Sequence, residues 1–302
     1  MPINTGNFTK ALWPGVNAWY GKTYDEFKPE YPDLFDKNTS RRAYEEDVGT
    51  SGFGLASVKT EGGVINYDSA TQGFTTRYTH VNYALGFVIT EEMVEDDQYD
   101  IIGKSRAEAL AFSMRQTKET VAANVFNRAF NSSYTGGDGL EMVSTAHLNV
   151  SGGTWSNELA TAANLSESSL EDMCINLMKF TNDRGLRINV QPQSLIIPVD
   201  LVFEAERILK TDGRVATANN DLNALKAMGK FPKGVKVNHY LTSTTAYFIR
   251  TNVANGLKYF ERKGDAFAAD NDFDTSNAKF KASGRYSFGW TDARGIYGTA
   301  GV

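Results

Sequence analysis

The longest helical pattern of the chain lies in residues 99–130, which read YDIIGKSRAEALAFSMRQTKETVAANVFNRAF. This stretch contains no proline and a single glycine, Gly103. A helix of about 30 residues is a rod of roughly 45 Å, whereas the mean helix has roughly 11–12 residues. Apolar residues recur at the helical period and form one face, which Lys118 interrupts. They are Ala107, Leu110, Ala111, Met114, Val121, Ala122, Val125 and Ala129. The sequence therefore predicts one long helix over about Tyr99 to Phe130. Arg115 and Glu119 are predicted to pair on its surface.

The residues before this helix carry the alternating pattern of β-strands. From Phe74 to His80 and from Val81 to Ile89, β-branched and aromatic residues recur at every second position. We interpret residues 52–90 as a long two-stranded hairpin with its tip at Asp68–Gly73. Such a ribbon is only marginally stable alone, so we expect it to pack on another surface, such as a neighbouring chain.

The first 50 residues favour an extended arm, with one short helix around Val16–Phe27. No helical or alternating period persists there, although the segment holds Trp13, Trp19, Tyr20, Tyr24, Phe27, Tyr31, Phe35 and Tyr44. An aromatic segment without a period cannot form its own core and needs another surface to cover it. The alternative is the irregular edge of an ordinary domain.

The second half of the chain mixes helices and strands without a βαβ repeat. Helices are predicted from about Ser169 to Asp183 and from Asp200 to Leu209, and strands at 195–197, 235–241, 246–251, 257–262 and 279–290. This order favours an α+β fold.

Composition excludes several classes of protein. The chain has 302 residues, of which 41% are hydrophobic and 22% charged, so it is not collagen-like, coiled-coil or disordered. The net charge of −5 argues against tight nucleic-acid binding, and the scattered basic residues favour at most a weak contact. No apolar run reaches the length of a membrane span. Cys174 is the one cysteine, and its apolar helix face predicts a buried structural thiol.

Residues with catalytic chemistry do not form a known constellation. His80, His147 and His239 are not at metal-ligand spacing from one another. The Gly-x-Ser-x-Gly motif of a nucleophile elbow is absent. We therefore expect no enzyme activity, catalytic residue, metal or cofactor. The alternative is a soluble hydrolase that uses Ser144 and His147.

Four motifs follow one another along nearly the whole chain. They are YALGFVITEE at 83–92 with EDD at 95–97, GDGLE at 137–141 with STAH at 144–147, PQSLIIP at 192–198, and RYSFGWTDARG at 285–295. In this order, and with the arm, hairpin and long helix, the chain resembles the major capsid proteins of tailed bacteriophages. These proteins have the Hong Kong 97-type fold, and the motifs are similar to the Mu-like major head subunit branch.

The resemblance implies a map of the chain. The expected segments are an N-terminal arm (1–51), an E-loop hairpin (52–90), a peripheral domain with the spine helix (91–187), an axial domain (188–255) and a return to the peripheral domain (256–302). It also implies a structural protein of the virion, assembled in the host bacterial cytoplasm. Copies of the chain would form pentamers and hexamers of an icosahedral head shell that encloses the DNA genome.

The resemblance implies partners as well. Besides itself, the chain would meet portal, scaffold and cement proteins and make weak, non-specific contact with packaged DNA, without any membrane. Because no long charged leader precedes the arm, a scaffold would be a separate or removed protein. The expected assembly contacts are Trp13, Trp19, Tyr20, Tyr67, Phe74, Arg77 and Tyr78.

Two further expectations concern the shell. The alternative with the same fold is an encapsulin-type nanocompartment built around a protein cargo. Some family members join an E-loop lysine covalently to a neighbouring asparagine. Here Lys59 lies about nine residues before the expected tip, some 30 Å short of it at roughly 3.3 Å per strand residue. We therefore expect a shell without covalent crosslinks.

Overall fold

The computed structural model describes residues 20–22, 28–95, 99–213, 221–272 and 277–302. Trp13 and Trp19, and nearly all of the helix expected around Val16–Phe27, lie outside these ranges. The helices are α1 (Tyr31–Leu34), α2 (Glu91–Glu95), α3 (Tyr99–Asn127), α4 (Glu167–Met178), α5 (Val202–Lys210) and α6 (Ala224–Ala227). Two 3-10 turns lie at Val199–Leu201 and Ala293–Gly295.

Twelve strands are found in the described residues. They are β1 (Asp36–Thr39), β2 (Tyr44–Thr50), β3 (Gln72–Thr79), β4 (Val81–Ile89), β5 (His147–Leu148), β6 (Thr154–Trp155), β7 (Pro192–Ile197), β8 (Val235–Val237), β9 (Tyr247–Thr251), β10 (Leu257–Asn271), β11 (Ala278–Trp290) and β12 (Ile296–Thr299). The mixed order of helices and strands is the α+β class that the sequence predicts.

The first sheet lies under the long helix α3. Its strand order is β1-β10-β11-β4, with β1 parallel to β10 and the other pairs antiparallel. Leu110, Ala111 and Met114 of α3 pack with Tyr20 and with Ala282 of β11. The prediction of one long helix is confirmed to within three residues at its end. Its packing through Leu110 and Met114 is confirmed, whereas Val121 and Val125 are only partly buried.

The expected surface pair on α3 is wrong, because both side chains are buried. Arg115 is 8% exposed and Glu119 is 2% exposed. The carboxylate of Glu119 accepts the backbone N–H groups of Glu30 and Tyr31 at 2.9 and 3.1 Å, where α1 begins. Burial raises the pKa of Glu119, against the lowering effect of these two N–H groups. Glu119 therefore joins the arm segment to α3.

Lys118, the residue that interrupts the apolar face of α3, also points into the protein. Its ammonium is 3.3 Å from the carboxylate of Asp265 and 3.9 Å from that of Glu261, both on β10. Three tyrosine rings surround it with centroids 5.1–5.5 Å away, those of Tyr31, Tyr259 and Tyr286. A buried lysine is retained only with such partners, because an isolated buried charge is very costly.

The second sheet has the strand order β12-β9-β7-β8. Leu195 and Ile197 of β7 and Tyr247 of β9 are fully buried and pack with Leu170 and Leu177 of α4. α4 begins after Ser166, whose hydroxyl accepts the Ser169 N–H, and it ends five residues before the predicted Asp183. Cys174 is buried in this core as predicted, and burial raises the pKa of its thiol to about 11.

The pairing of the strands corrects the hairpin expected over residues 52–90. β3 pairs with β2, which lies in the segment predicted as an arm, and β4 pairs with β11. β4 leaves the ribbon because its aromatic side chains are covered by the body. Tyr83 stacks on Tyr286 and Phe87 on Phe280, with centroids 4.9 and 5.0 Å apart.

The ends of the chain are also more closely integrated than the predicted map suggests. In the arm segment, Tyr31, Leu34 and Phe35 are buried in the core beside α3, and β1 joins the first sheet. Near the C-terminus, β12 pairs with β9 and so belongs to the second sheet. The predicted borders of the arm and of the returning segment therefore divide units that the hydrogen bonding joins.

Replacing Leu110 with aspartate tests the placement of α3. An unpaired carboxylate at this buried position should lower the free energy of unfolding by at least about 3 kcal/mol. Ala109→Asp is the matched control, because Ala109 is exposed and the change costs at most about 0.7 kcal/mol of helix propensity. Chemical denaturation of the subunit measures both, and equal effects of the two variants would contradict the placement.

Lys118→Met tests the buried charge cluster. Removing the cation that faces Asp265 should cost about 3–5 kcal/mol of unfolding free energy, because a buried carboxylate loses its counter-charge. The double variant Lys118→Met with Asp265→Asn should recover part of that loss. A single variant as stable as the wild type in denaturant titrations would show that the cluster does not contribute to stability.

Candidate assembly surface

The foot of the β2–β3 ribbon is fixed to the body of the subunit. Asp47 on β2 accepts hydrogen bonds from Lys258 Nζ and, at 2.8 Å, from Thr291 Oγ1. The hydroxyl group of Tyr78, on β3, lies 2.7 Å from that of Thr291 in the body. The Tyr78 ring packs against Phe260, with ring centroids 4.8 Å apart. Tyr78 is 3% exposed, and this burial raises the pKa of its phenol. The direction in which the ribbon leaves the body is set here.

The middle of the ribbon is more exposed. Arg77 contacts Glu46 on the paired strand, with Nη2 and Nε at 2.6 and 2.7 Å from Oε1. The guanidinium also lies 4.4 Å from the ring centroid of Tyr44. Because both charged side chains face solvent, the pair contributes at most about 1 kcal/mol. Phe74 on the same strand is 37% exposed.

Two hydroxyl side chains close the ribbon where its strands end. Ser51 donates its N–H to the carbonyl of Thr71 at 2.9 Å, and the Thr71 N–H donates to Ser51 Oγ at 2.8 Å. Beyond this neck, residues 52–70 form no strand. The chain reverses at Glu61–Gly62, where Gly62 has φ 74°. The N–H of Gly63 donates to the backbone carbonyl of Thr60 across this turn. A positive φ favours glycine.

We call residues 52–70 the apolar loop, because its large apolar side chains are exposed to solvent. They are Phe53 (62% exposed), Leu55 (84%), Val58 (95%), Val64 (90%), Ile65 (62%) and Tyr67 (95%). Large apolar side chains that are exposed together in one segment usually mark a contact with another protein. Sequence reasoning singled out only Tyr67 here. The signal available was a run of apolar residues without a helical or strand period between two strands.

The five predicted contact residues within the described ranges divide into three groups, whereas Trp13 and Trp19 lie outside those ranges. Tyr67 and Phe74 are exposed, and Arg77 is exposed while paired within its own ribbon. The prediction of an assembly contact is corrected for Tyr78 and Tyr20, because their own subunit covers both side chains. Tyr20 is 5% exposed, and its ring lies 5.0 Å from that of Phe267. These two tyrosines therefore belong to the interior of the subunit.

The position of Lys59 is a second correction. The sequence placed the tip of the loop at Asp68–Gly73, but the turn lies at Glu61–Gly62, two residues after Lys59. The distance argument against a covalent crosslink is therefore wrong. The error arose because the sequence interpretation paired β3 with β4. β3 pairs instead with β2, which precedes residues 52–70 in the chain, so the loop connects β2 to β3.

Ser144 and His147, the pair of the hydrolase alternative, each have another hydrogen-bond partner. His147 is fully buried, its Nδ1 lies 2.6 Å from Asp138 Oδ2, and its ring stacks on Trp155. The backbone N–H of Ser144 donates to the Asn157 side chain, and no hydrogen bond joins the Ser144 and His147 side chains within the described ranges.

The described residues contain no cluster of three or more side chains suited to a metal ion. None of the helices described is long and apolar enough to cross a membrane.

Comparison with known proteins gives one family and several structural neighbours. The model of a phage capsid protein family matches residues 73–299. No curated protein matches the chain. The fold is similar to a Mycobacterium phage Che8 structure, with TM-score 0.53 and 11% identity over 92% of this chain and 94% of that one.

Two other structures are similar to the same degree. The procapsid of bacteriophage JBD30 has TM-score 0.53 and 11% identity over 98% of this chain and 76% of that one. A virus-like particle from Pyrococcus furiosus has TM-score 0.53 and 9% identity over 95% of this chain and 98% of that one. At these identities the likeness shows the fold alone.

Two tyrosines test which ribbon side chains the subunit itself buries. Tyr78→Ala should lower the free energy of unfolding by about 3–5 kcal/mol, because it empties a buried aromatic site. Tyr67→Ala should change it by less than about 0.5 kcal/mol, because its side chain faces solvent. Denaturation of the two dissociated variants measures this, and a similar loss in both would show that the apolar loop folds onto its own subunit.

Proposed function

Because this chain belongs to the phage capsid protein family and has the Hong Kong 97-type fold, we propose that its copies form the pentamers and hexamers of an icosahedral phage head. It is a major capsid protein, the shell subunit of a virion. The proposed shell encloses a DNA genome and is assembled in the cytoplasm of a bacterial host. The role is structural and requires no catalytic residue.

The observation that carries the proposal is the contrast between the two ends of the ribbon. Asp47, Tyr78 and Thr291 fix its foot, whereas the apolar loop at its far end exposes six large side chains. A subunit that exposes such a surface on a fixed support is incomplete alone, and a second copy in a ring supplies the missing cover. Contacts of this head-to-tail kind form closed rings when the rotation between neighbouring copies divides a full turn, and open filaments otherwise.

The charge of the chain is compatible with a container for DNA. A net charge of −5 gives little general attraction for a polyanion. Contact between the shell and packaged DNA is therefore proposed to be weak and non-specific. Portal, scaffold and cement proteins are further proposed partners, as the kinship with capsid proteins suggests.

A nanocompartment around a protein cargo is the second candidate. The similar fold of the virus-like particle from Pyrococcus furiosus is the observation that favours it. The family match favours the phage shell instead. The content of purified particles separates the two, because a phage head holds DNA and a nanocompartment holds protein.

Expression of the whole chain should give rings or closed shells. Sedimentation and negative-stain electron microscopy measure this, and a monodisperse species of 33.3 kDa under native conditions would contradict the proposal. Removal of residues 1–30 is not a clean test of the arm, because it also deletes Tyr20 and Glu30, which contact the body. Removal of residues 1–19 leaves every contact described above in place, so that variant should fold.

A further inference from the structure

The apolar loop is joined to its own subunit by one guanidinium group. Arg184, in the turn after α4, donates from Nε to the carbonyl of Gly52 at 3.2 Å. Its Nη2 donates to the Asp68 carboxylate at 3.0 Å and to the carbonyl of Ser69 at 2.6 Å. These acceptors lie on both arms of the loop, directly beyond the neck formed by Ser51 and Thr71. Arg184 therefore holds the two arms together and holds both to the body.

The turn that presents Arg184 is itself rigidly supported. The side chain of Asn182 accepts the N–H groups of Arg184 and Leu186 at 3.0 and 2.9 Å, and Gly185 takes the positive φ of 77° that the turn requires. Arg294, which is 8% exposed, donates to the Asp183 carboxylate at 3.0 Å and to the Thr181 carbonyl at 2.9 Å. The position of Arg184 is thus set by the core of the protein.

The other side of the contact is also ordered. Asp68 accepts the N–H groups of Gly54 and Ser69 in addition to the guanidinium. These three donors hold the pKa of the Asp68 carboxyl below its usual range. The carboxylate is therefore ionised throughout the neutral range, and the planar fork of arginine can bind it together with the neighbouring carbonyl groups.

We propose that Arg184 is the positioning residue that aims the apolar loop at a second copy of this chain. This inference rests on the proposed shell function and names the group that sets its geometry. Among the described residues the loop has no strand partner beyond its neck, so without Arg184 its apolar side chains could point in many directions. A ring of copies closes only if each loop leaves its subunit at one angle. A preorganised loop also avoids an ordering cost when it binds.

A second copy of this chain is the partner that the exposed loop and the family of the chain support. The six large apolar side chains of the loop are 62–95% exposed. Each copy in an assembly therefore presents one apolar surface that a neighbour can bury. The chain belongs to a family of shell proteins, in which the abundant neighbour of each subunit is another copy. A different protein bound to the loop is an outcome that the experiment below would reveal.

Three variants test the proposal. Arg184→Ala removes the guanidinium, and Asp68→Ala removes its carboxylate partner from an exposed loop, where the change cannot unfold the body. Arg187→Ala is the matched control, because Arg187 lies in the same turn and donates to the Lys179 carbonyl rather than to the loop. Hydrogen exchange of residues 52–70 in unassembled subunits measures the order of the loop. Electron microscopy of assembled protein measures closure and diameter, and a reconstruction of the particles shows which chain covers the loop.

The expected result is faster exchange of the apolar loop in Arg184→Ala and Asp68→Ala, with the unfolding midpoint of the subunit unchanged. Both variants should give open sheets or particles of several diameters where the wild type and Arg187→Ala give closed particles of one size. Wild-type particles from Arg184→Ala would overturn the proposal. So would the same assembly defect in Arg187→Ala, or a defect explained by lost subunit stability.

The two proposals fail in different ways. If the wild type forms no particles, the shell function fails, and loop exchange in Arg184→Ala still decides whether Arg184 orders the loop. If the wild type forms shells and both variants match it, only the role of Arg184 fails. Wild-type particles in which a different protein covers the loop would overturn the assignment of a second copy.

Discussion

The ion cluster around Lys118 is the interaction on which the body of this subunit depends. It joins α3 to β10 through Asp265 and Glu261, beneath the rings of Tyr31 and Tyr259. Glu119, the next residue of α3, binds the backbone where α1 begins. One turn of the long helix thus fixes the sheet below it and the N-terminal segment beside it. The foot of the ribbon contacts the same sheet, through Lys258 and Phe260 of β10.

The ribbon differs from the body of the subunit in how its two ends are held. Its foot is held by contacts of Asp47 and Tyr78, whereas the apolar side chains at its far end are left exposed by the described part of the subunit. The difference follows from topology, because the partner of β3 is β2 and the residues between them extend beyond both strands. The supports of this surface lie far away in sequence, at Arg184 and Arg294. Assembly geometry is therefore encoded in the body as much as in the loop.

Sequence reasoning succeeded where local pattern determined the structure. The helical period of residues 99–130 predicted α3, and the mixed element order predicted the α+β class. It failed where a strand had two available partners. Val81–Ile89 has the alternation of a ribbon strand, but nothing in its pattern shows that Tyr83 and Phe87 stack on residues about 200 positions later. The same error misplaced the tip of the loop and with it Lys59.

The sequence by itself determined the class of the fold, the long helix and, through motifs spread along the chain, the family. These features are local or repeated in order, so they can be recognised without a partner strand. Only the tertiary structure decided that Arg115, Lys118 and Glu119 are buried and that Arg184 meets Asp68. The physical reason is that the local sequence of a helix or turn does not show whether a distant segment places an opposite charge beside it. Without that information a charged side chain is predicted to face solvent. Burial of a charged residue is a property of the whole fold and not of its neighbours in sequence.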